Sequence, residues 1–434
     1  MNRHPRTISP LSTDRPTLKL AALGVLLLGW GGHSLAQSSE EILVWTDATR
    51  LPGFQAYQKA HPDVKLRIVT VDLTDFPAKI QLFNRSGSGW PDVVFNGNPG
   101  QMGQLLASGV DYLADLSKLV PKTTLSKFAR GANAPCTQGA KIYCLRNDLA
   151  QGVLYYNAKL MKDFGYSVPK TWEEYKALGL RVAKEHPGYV VGAAGGGGDQ
   201  FLYFWPSRCE VSQVVNPRTV RINFASSNCT RIGNLLDDLI AAGSVSKLSL
   251  FDGDFAKLGT ENKILMTPGP SWLGEYIVKP LYKTPAGQMA AALPLRWANE
   301  RTAWTGGFGG GIYLVSKHAK NLKGAVDVAT WMATSPQYQT DAPTFPAYLP
   351  AADLWGAKVK ADKYFANDVF SVFRASAGLI DPKYGFPNYD TQGTFTNVSD
   401  AGLKAGKTYA QILPELQARF TQVAQAAGYR VILK

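Results

Sequence analysis

The sequence predicts an α/β fold in which sheets are covered by helices on both faces. From residue 41 onward, short apolar runs alternate with amphipathic segments. The run 42–46 is predicted to be a buried strand, and residues 51–60 a helix. Residues 64–68 alternate between apolar and basic side chains, which is the two-residue period of a strand. Strand–helix alternation of this kind favours a parallel sheet.

The next segments continue the alternation. Residues 75–84 are predicted to form a helix, and residues 91–96 a strand that begins with proline, where the missing N–H does least harm. Thr171 and Glu174 have the spacing of a capping box at the start of another helix. The remaining main elements are expected to be a strand at 312–315, a helix through 325–332 and a closing helix at 409–427.

Composition indicates a globular chain. Its 434 residues are 45% apolar and 18% charged, which is enough for two or three compact units with real cores. The formal net charge of +13 raises the question of a nucleic-acid or membrane partner. The lysines and arginines are scattered, with no run of five like charges. We therefore expect a solvated basic surface and no nucleic-acid partner.

The N-terminus has the order of a secretory signal peptide. A lead containing Arg3 and Lys19 precedes the apolar stretch 20–30, and residues 34–36 fit a small-residue cleavage site. The stretch is shorter than the roughly 20 residues that span a bilayer. We predict that residues 1–36 are a signal peptide and that the mature chain is periplasmic or otherwise extracytoplasmic.

The four cysteines lie in the mature part and, in an exported chain, imply disulfides. Four cysteines allow three pairings. The sequential pairing, Cys136 with Cys144 and Cys209 with Cys229, is favoured because each bond closes a short local loop. Zinc binding is the alternative, but neither pair has C-x-x-C spacing or a nearby histidine. We expect no metal site and no cofactor.

Several motifs occur in an order found in a known family. They are WPDVVFNGN at 90–98, YCLRNDLAQGVLYYNAKLMKDFGYSVPKTWEEY at 143–175, KILMTPGPSW at 263–272, the segment 305–339 that begins TGGFGGG, and KTYAQILPELQARF at 407–420. Together they resemble the extracellular solute-binding proteins of family 1, the maltose-binding-like group. Phe308 stands where that family has the tryptophan of its GGW motif.

The resemblance implies a two-lobe periplasmic-binding-protein fold of type II, each lobe a sheet flanked by helices, with the ligand in the cleft between them. The first lobe is expected at 41–148 and 275–335, and the second at 149–274 and 336–434. The implied function is the substrate-binding component of an ABC importer, which delivers a sugar or oligosaccharide to the transmembrane subunits of a permease. We expect a monomer that works by lobe closure.

A sugar site needs planar polar groups that hold pairs of hydroxyls, and aromatic faces for the C–H surfaces of the ring. Ligands of open α/β sheets bind beyond the carboxyl ends of strands. That placement and the family motifs together predict the ligand-binding residues Asp47, Asn96, Asn98, Asp148, Asp199, Gln200, Trp205, Trp272, Trp304, Gly306, Gly307, Phe308, Tyr348 and Arg374. Helix capping, core packing and a plain surface arginine are the alternative roles for these residue types.

Other functions remain open. A glycosidase needs only two carboxylates close in space, so this alternative stays open. No histidine lies near a nucleophile motif such as G-x-S-x-G, and we expect the protein not to be an enzyme. Within the same fold, Tyr155 and Tyr156 resemble paired tyrosines that hold iron in some relatives. An acidic sugar or a glycerol-phosphate-type ligand would suit the basic charge.

Overall fold

The computed structural model describes residues 40–196, 198–209, 211–381 and 386–433. The predicted signal peptide, 1–36, lies outside the described residues. The chain divides into a unit of residues 1–38 and a unit of residues 39–434, and the description below concerns the second. Within the described ranges, no helix has both the length and the apolar character needed to cross a membrane.

Strands and helices alternate along the second unit. The strands are β1 (Ile42–Thr46), β2 (Leu66–Thr70), β3 (Val93–Asn96), β4 (Thr137–Gln138), β5 (Lys141–Ile142), β6 (Cys144–Arg146), β7 (Gly152–Asn157), β8 (Gly192–Ala193), β9 (Gln213–Asn216), β10 (Thr219–Arg221), β11 (Val245–Ser246), β12 (Met266–Pro270), β13 (Met289–Ala292), β14 (Ile312–Val315) and β15 (Arg430–Ile432).

The helices are α1 (Leu51–Ala60), α2 (Phe76–Ser86), α3 (Met102–Leu105), α4 (Lys122–Leu125), α5 (Ala158–Asp163), α6 (Trp172–Glu185), α7 (Phe201–Phe204), α8 (Ser227–Ala241), α9 (Gly253–Thr260), α10 (Leu322–Thr334), α11 (Pro336–Gln339), α12 (Leu349–Asp362), α13 (Val369–Ala377), α14 (Thr391–Lys404) and α15 (Tyr409–Ala426). A π-helix at Gly274–Val278 follows β12.

The first sheet has the strand order β2-β1-β3-β14-β6. β1 pairs in parallel with β2 and β3, as the sequence predicts, but β14 is antiparallel to both of its neighbours. The prediction of a parallel sheet is therefore wrong for β14, because an apolar run of four residues carries no information about strand direction. Both faces are buried: Val93 and Phe95 of β3 join one core, while Val94 joins a second core on the other face.

The second sheet has β7 at its centre, with β12 and β13 on either side, both antiparallel to it. The short strands β8 and β11 pair in parallel with each other, and Val190 before β8 forms a parallel bridge to Ile264 before β12. The hydrogen bonds place β13 in the sheet of β7. The predicted first-lobe segment 275–335 would separate these two strands.

Several local predictions hold at the residue level. β1, β14 and α1 have the predicted bounds. At α6, Thr171 accepts from the Glu174 amide at 3.2 Å while the Glu174 carboxylate accepts from the Thr171 amide at 3.3 Å, so the capping box is confirmed. β3 begins two residues later than predicted. Just before it, the Asp92 carboxylate accepts from the amide of Leu43 at 2.7 Å, and the Asp92 amide donates to the Leu43 carbonyl at 2.8 Å.

The structure pairs Cys136 with Cys144 and Cys209 with Cys229, as predicted, with Cα–Cα distances of 4.9 and 4.6 Å. The first bond encloses the β4–β5 hairpin and ends on β6 of the first sheet. The second joins the residues after α7 to the first turn of α8.

The start of α15 provides a test of stability. Asp237 of α8 accepts hydrogen bonds from the amides of Tyr409 at 2.6 Å and Ala410 at 3.1 Å, which have no partners inside their own helix. We expect Asp237→Ala to lower the free energy of unfolding by about 1–2 kcal/mol, measured by urea denaturation. The control is Asp238→Ala, which removes only an exposed ion pair to Lys176 and should cost less than about 0.5 kcal/mol. Equal losses in the two variants would contradict this role.

Candidate functional site

Asp47 and Arg50 form a polar group at the end of β1. The Arg50 amide donates to Asp47 Oδ1 at 2.8 Å, and its Nη1 donates to Oδ2 at 3.2 Å. The buried guanidinium lies 4.3 Å from the centre of the Phe95 ring. Burial acts to lower the pKa of Arg50, but Asp148 and Tyr276, together with Asp47, hold that pKa above its ordinary value. The guanidinium therefore brings two predicted site carboxylates into one charged network.

Tyr276 connects this polar group to the aromatic side chains that follow β12. It lies in the π-helix Gly274–Val278, an irregularity that occurs often at functional sites. Its hydroxyl accepts from Arg50 Nη1 at 3.4 Å, and its ring meets Trp272 edge-on with the centroids 6.1 Å apart. Burial raises the pKa of the Tyr276 hydroxyl, which therefore stays protonated and able to donate.

Three rings, Phe251, Trp272 and Phe308, form what we call the aromatic row. Trp272 lies 6.0 Å from Phe251 and 6.1 Å from Phe308 between centroids, with interplanar angles of 30° and 28°. Trp272 Nε1 donates to the carbonyl of Phe308 at 2.9 Å, which fixes the indole. Phe251 is 47% exposed and Trp272 is half-buried, so the row is accessible at one end.

Trp205 continues the row inward. Its ring centroid lies 6.4 Å from that of Phe308 and 4.4 Å from that of Phe201. A narrow cavity beside it is lined without charged side chains. A Cβ on Gly306 would sit 2.5 Å from Trp205 Cε3, so glycine is needed there for ring packing. Gly307 forms a backbone bridge with Gln151, which ties the row to the segment before β7.

Asp148 is buried between β6 and β7. Its Oδ1 accepts from the amide of Gly311 at 2.7 Å and from Asn147 Nδ2 at 2.9 Å. The carboxylate thus joins two chain segments, 147–151 and 305–311, while also contributing to the charge around Arg50.

Asn96 and Asn98 use their side chains locally. Asn96 donates to Gln101 Oε1 at 2.7 Å and accepts from the Asn98 amide at 2.8 Å. Asn98 Oδ1 accepts from the Gly100 amide at 3.0 Å, which caps a short 3-10 helix. The structure therefore shows both side chains in the turn-forming role, and a ligand contact by either stays a prediction.

Asp199 and Gln200 lie at the start of α7 in a glycine-rich loop. Asp199 Oδ2 accepts from the Leu250 amide at 2.6 Å, and Gln200 Nε2 donates to Asp400 Oδ1 at 2.8 Å. Burial raises the pKa of Asp199 to about 7, against the opposing effect of its hydrogen bond from Leu250 and with a smaller contribution from Asp400.

The loop of Asp199 packs directly on the aromatic row. A Cβ on Gly198 would lie 3.0 Å from the ring of Phe308, and Gly198 has φ +89°, a conformation that glycine adopts readily. The predicted second-lobe residues Asp199 and Gln200 are thereby close to the row, although both are fully buried.

The remaining predicted site residues make separate contacts. The Arg208 guanidinium lies 5.4 Å from the centre of the Trp304 ring. The ring of Tyr348 packs edge-on against Phe128 at 5.3 Å. Arg374 pairs with Asp353 at 2.9 Å, which joins α13 to α12. The structure gives Arg374 the ordinary role of a helix–helix ion pair.

Sequence reasoning missed Arg50, Tyr276 and Phe251. Arg50 follows Asp47 by three residues and resembles any surface arginine in the first turn of a helix. Tyr276 follows Trp272 by four residues, the spacing that places two side chains on one helical face, and this signal was available.

The site combines two kinds of surface. Carboxylate, guanidinium and phenol groups lie at one end and planar rings at the other, which is the pairing that binds a molecule with hydroxyls on its edges and apolar faces. Among the described residues, no three His, Cys, Asp or Glu side chains are grouped so that they could hold a metal ion.

The sequence matches a known family and a known relative. The profile of the family described as bacterial extracellular solute-binding protein matches residues 44–339. A protein of Deinococcus radiodurans, described as a probable ABC transporter-binding protein, is 26% identical over 298 residues, which cover 64% of this chain and 67% of that protein.

The fold is similar to solved structures over nearly the whole chain. The galacto-N-biose/lacto-N-biose I-binding protein of an ABC transporter from Bifidobacterium longum, in complex with lacto-N-biose, aligns with a TM-score of 0.76 at 18% identity, covering 91% of this chain and 98% of that one. UgpB from Mycobacterium tuberculosis, in complex with glycerophosphocholine, aligns with a TM-score of 0.71 at 14% identity, covering 89% and 99%. The predicted two-lobe α/β fold of type II is confirmed.

The raised pKa of Asp199 predicts a pH dependence of stability. An aspartate titrates near pH 3.9 when unfolded, so the folded chain binds the extra proton between about pH 4 and pH 7. The stability that this proton gives is present in full below pH 4 and is lost as the pH rises through 7. We expect Asp199→Asn, which mimics the neutral form, to weaken the fall in melting temperature between pH 5 and pH 8.

The control for this experiment is Asp63→Asn at an exposed turn, which should keep the pH profile of the native chain. The same pH profile for Asp199→Asn and the native chain would show that Asp199 does not carry this effect.

Proposed function

The chain belongs to the bacterial extracellular solute-binding protein family, and from that membership we propose that it is the substrate-binding component of an ABC importer and binds a sugar or oligosaccharide. The observation that carries the choice of ligand is the aromatic row beside the Asp47–Arg50–Tyr276 group. A sugar ring offers C–H faces to the rings and hydroxyl pairs to the planar polar groups. The relative described as an ABC transporter-binding protein and the fold neighbour bound to lacto-N-biose support this proposal.

Iron is less well supported as a ligand. Tyr155 and Tyr156 are consecutive on β7, so their side chains point to opposite faces of the sheet. Tyr155 is fully buried and donates to the carbonyl of Ser271 at 2.9 Å. The two hydroxyls therefore do not converge on one point.

An anionic ligand is also less well supported. The guanidinium of Arg50 already pairs with Asp47 and lies in the field of Asp148. The loop near Phe308 adds the carboxylate of Asp400, which accepts from Gln200, and Asp199, whose pKa of about 7 leaves it partly charged at neutral pH. The chain has a net charge of +13, but its positive charge is not concentrated in the site. A site without excess positive charge favours an uncharged sugar over an acidic sugar or a glycerol phosphate.

We propose that the lobes join at the segments 147–152 and 305–311. The predicted first-lobe range 41–148 holds β1, β2, β3 and β6 of the first sheet. The pairing of β13 with β7 supports moving residues 275–304 from the first lobe to the second. With that change Arg50 belongs to the first lobe and Tyr276 to the second, so their contact bridges the lobes.

The proposed action is closure around the ligand followed by delivery to permease transmembrane subunits. Closure needs no chemistry, and the family and the neighbours are binding proteins rather than enzymes. Export by the predicted signal peptide, residues 1–36, would bring the mature chain to the periplasm or cell exterior. A monomer is sufficient, since both walls of the proposed site come from one chain.

A glycan screen tests the ligand. We expect thermal shifts with neutral di- and oligosaccharides, since a ligand at a hundredfold excess over its Kd stabilises a protein by about 2.7 kcal/mol. For the glycan with the largest shift, Trp272→Ala should raise the Kd by about tenfold, equivalent to about 1.4 kcal/mol, in isothermal titration calorimetry. The control is Trp90→Ala, whose ring stacks on His318 away from the row. Unchanged affinity in Trp272→Ala would remove the row from the site.

A glycine variant tests closure. A Cβ on Gly103 of α3 would lie 1.9 Å from the carbonyl oxygen of Pro387, so this glycine permits close contact between the proposed lobes. We expect Gly103→Ala to hold the lobes apart and to weaken binding of the same glycan by at least about tenfold. This loss is equivalent to destabilising the closed, bound state by about 1.4 kcal/mol. Gly253→Ala is the control, because a Cβ there meets no atom within 4 Å. Native affinity in Gly103→Ala would contradict closure at this contact.

A further inference from the structure

The segments 147–152 and 305–311 form a hydrogen-bonded ribbon between the two sheets, which we call the crossover ribbon. The Asn147 amide donates to the Gly311 carbonyl at 2.8 Å, and the Phe308 amide donates to the Ala150 carbonyl at 3.0 Å. The Gly152 amide donates to the Gly306 carbonyl at 3.1 Å. The ribbon is thus a continuous connection, although its central residues belong to neither sheet.

The centre of the ribbon departs from strand geometry on both sides. Ala150 has φ +51°, the left-handed region that residues with a Cβ rarely adopt, and it is fully buried. In the facing segment Gly309 and Gly310 have φ +83° and +82°. Glycine adopts this conformation readily, but the conformation of Ala150 persists only where the surroundings impose it, and such residues cluster at clamps and switches.

Arg146 binds carbonyl groups at or just before these residues. Its guanidinium donates to the carbonyls of Asp148 at 3.2 Å, Leu149 at 3.3 Å and Gly309 at 3.4 Å. Leu149 precedes Ala150, and Gly309 is itself one of the two left-handed glycines. A Cβ on Gly310 would lie 2.3 Å from Arg146 Nη2, so the glycine makes room for the guanidinium.

Arg146 places a charged side chain in the interior of the protein to bind three carbonyl groups. It is only 4% exposed, and no carboxylate pairs with it among the residues that the structure describes. Burial lowers the pKa of Arg146 to about 10, with Asp148 opposing that shift, so the side chain keeps its charge at neutral pH. Burial of a charge is costly unless its donors are satisfied, and here the crossover backbone accepts hydrogen bonds from Nε and Nη2.

We propose that Arg146 is a positioning residue for lobe closure: it fixes the first-lobe side of the crossover ribbon and confines the interlobe rotation to Ala150 and Gly309–Gly310. The proposal rests on the binding function proposed above. It goes beyond that function by naming where the two lobes pivot and which side chain limits the pivot. Asp148, a predicted ligand residue, is held by the same arrangement.

Ligand-free protein is sufficient for the test. Spin labels at Lys59→Cys on α1 and Lys184→Cys on α6, both exposed, report the interlobe distance, since all four native cysteines are in disulfides. We expect Arg146→Met to broaden the distance distribution measured by double electron–electron resonance. Hydrogen exchange at the amides of Asn147, Gly152, Phe308 and Gly311 should accelerate at least tenfold, while exchange in β1 and β2 stays native.

Arg231→Met is the matched control, because Arg231 is also largely covered, pairs with Glu300 and lies 4.3 Å from the centre of the Trp297 ring, away from the ribbon. It should leave both the distance distribution and the ribbon exchange native. A purely structural role for Arg146 would accelerate exchange throughout the chain and leave the distance distribution of the folded fraction unchanged.

Ala150→Gly keeps the test decisive if Arg146→Met does not fold. Glycine accepts φ +51° without strain, so this variant should fold and should broaden the distance distribution by freeing the pivot. A native distribution and native ribbon exchange in Ala150→Gly, or in a folded Arg146→Met, would overturn the proposal. Neither readout uses a ligand, so failure of the proposed sugar binding would appear separately in the glycan screen.

Discussion

The structure depends on how buried backbone groups are satisfied where the chain passes between its two sheets. Peptide N–H and C=O groups that leave a sheet must find other partners. Residues 147–152 and 305–311 do this by pairing with each other. The Asp148 carboxylate accepts from a further backbone amide of these segments, and the Arg146 guanidinium donates to their remaining carbonyl groups. This ribbon sets where the aromatic row stands, because Phe308 lies within it and the Phe308 carbonyl holds the indole of Trp272.

Much of the fold could be predicted from local patterns, and the failures were non-local. The buried run at 42–46, the capping box at Thr171 and the short-loop disulfides depend on neighbours in sequence, and each appears as predicted. The direction of β14 and the partner of β13 depend on residues more than a hundred positions away. Neither a four-residue apolar run nor a motif contains that information, so local patterns predict neither the antiparallel direction of β14 nor the pairing of β13 with β7.

The candidate site was predictable by residue type but not by partner. Asp47 and Asp148 both act on the guanidinium of Arg50, and Tyr276 connects Arg50 to Trp272, while a ligand contact by any of them stays a prediction. Arg50 has no distinguishing sequence signal, and that of Tyr276 is only its spacing from Trp272. Conversely, Asn96, Asn98 and Arg374 satisfy their polar groups within the protein, in the local roles that these residue types commonly take. A polar side chain at the end of a strand is equally suited to a ligand or to a turn, and only the folded chain determines which partner it has.

In the proposed mechanism, two lobes close around a neutral glycan about the crossover ribbon. Small-angle X-ray scattering of the native chain, without ligand and with the saturating glycan that gives the largest thermal shift, tests it most directly. We expect a smaller radius of gyration and a shorter maximum dimension in the bound state. Superimposable scattering curves, at a glycan concentration where calorimetry shows full occupancy, would contradict it.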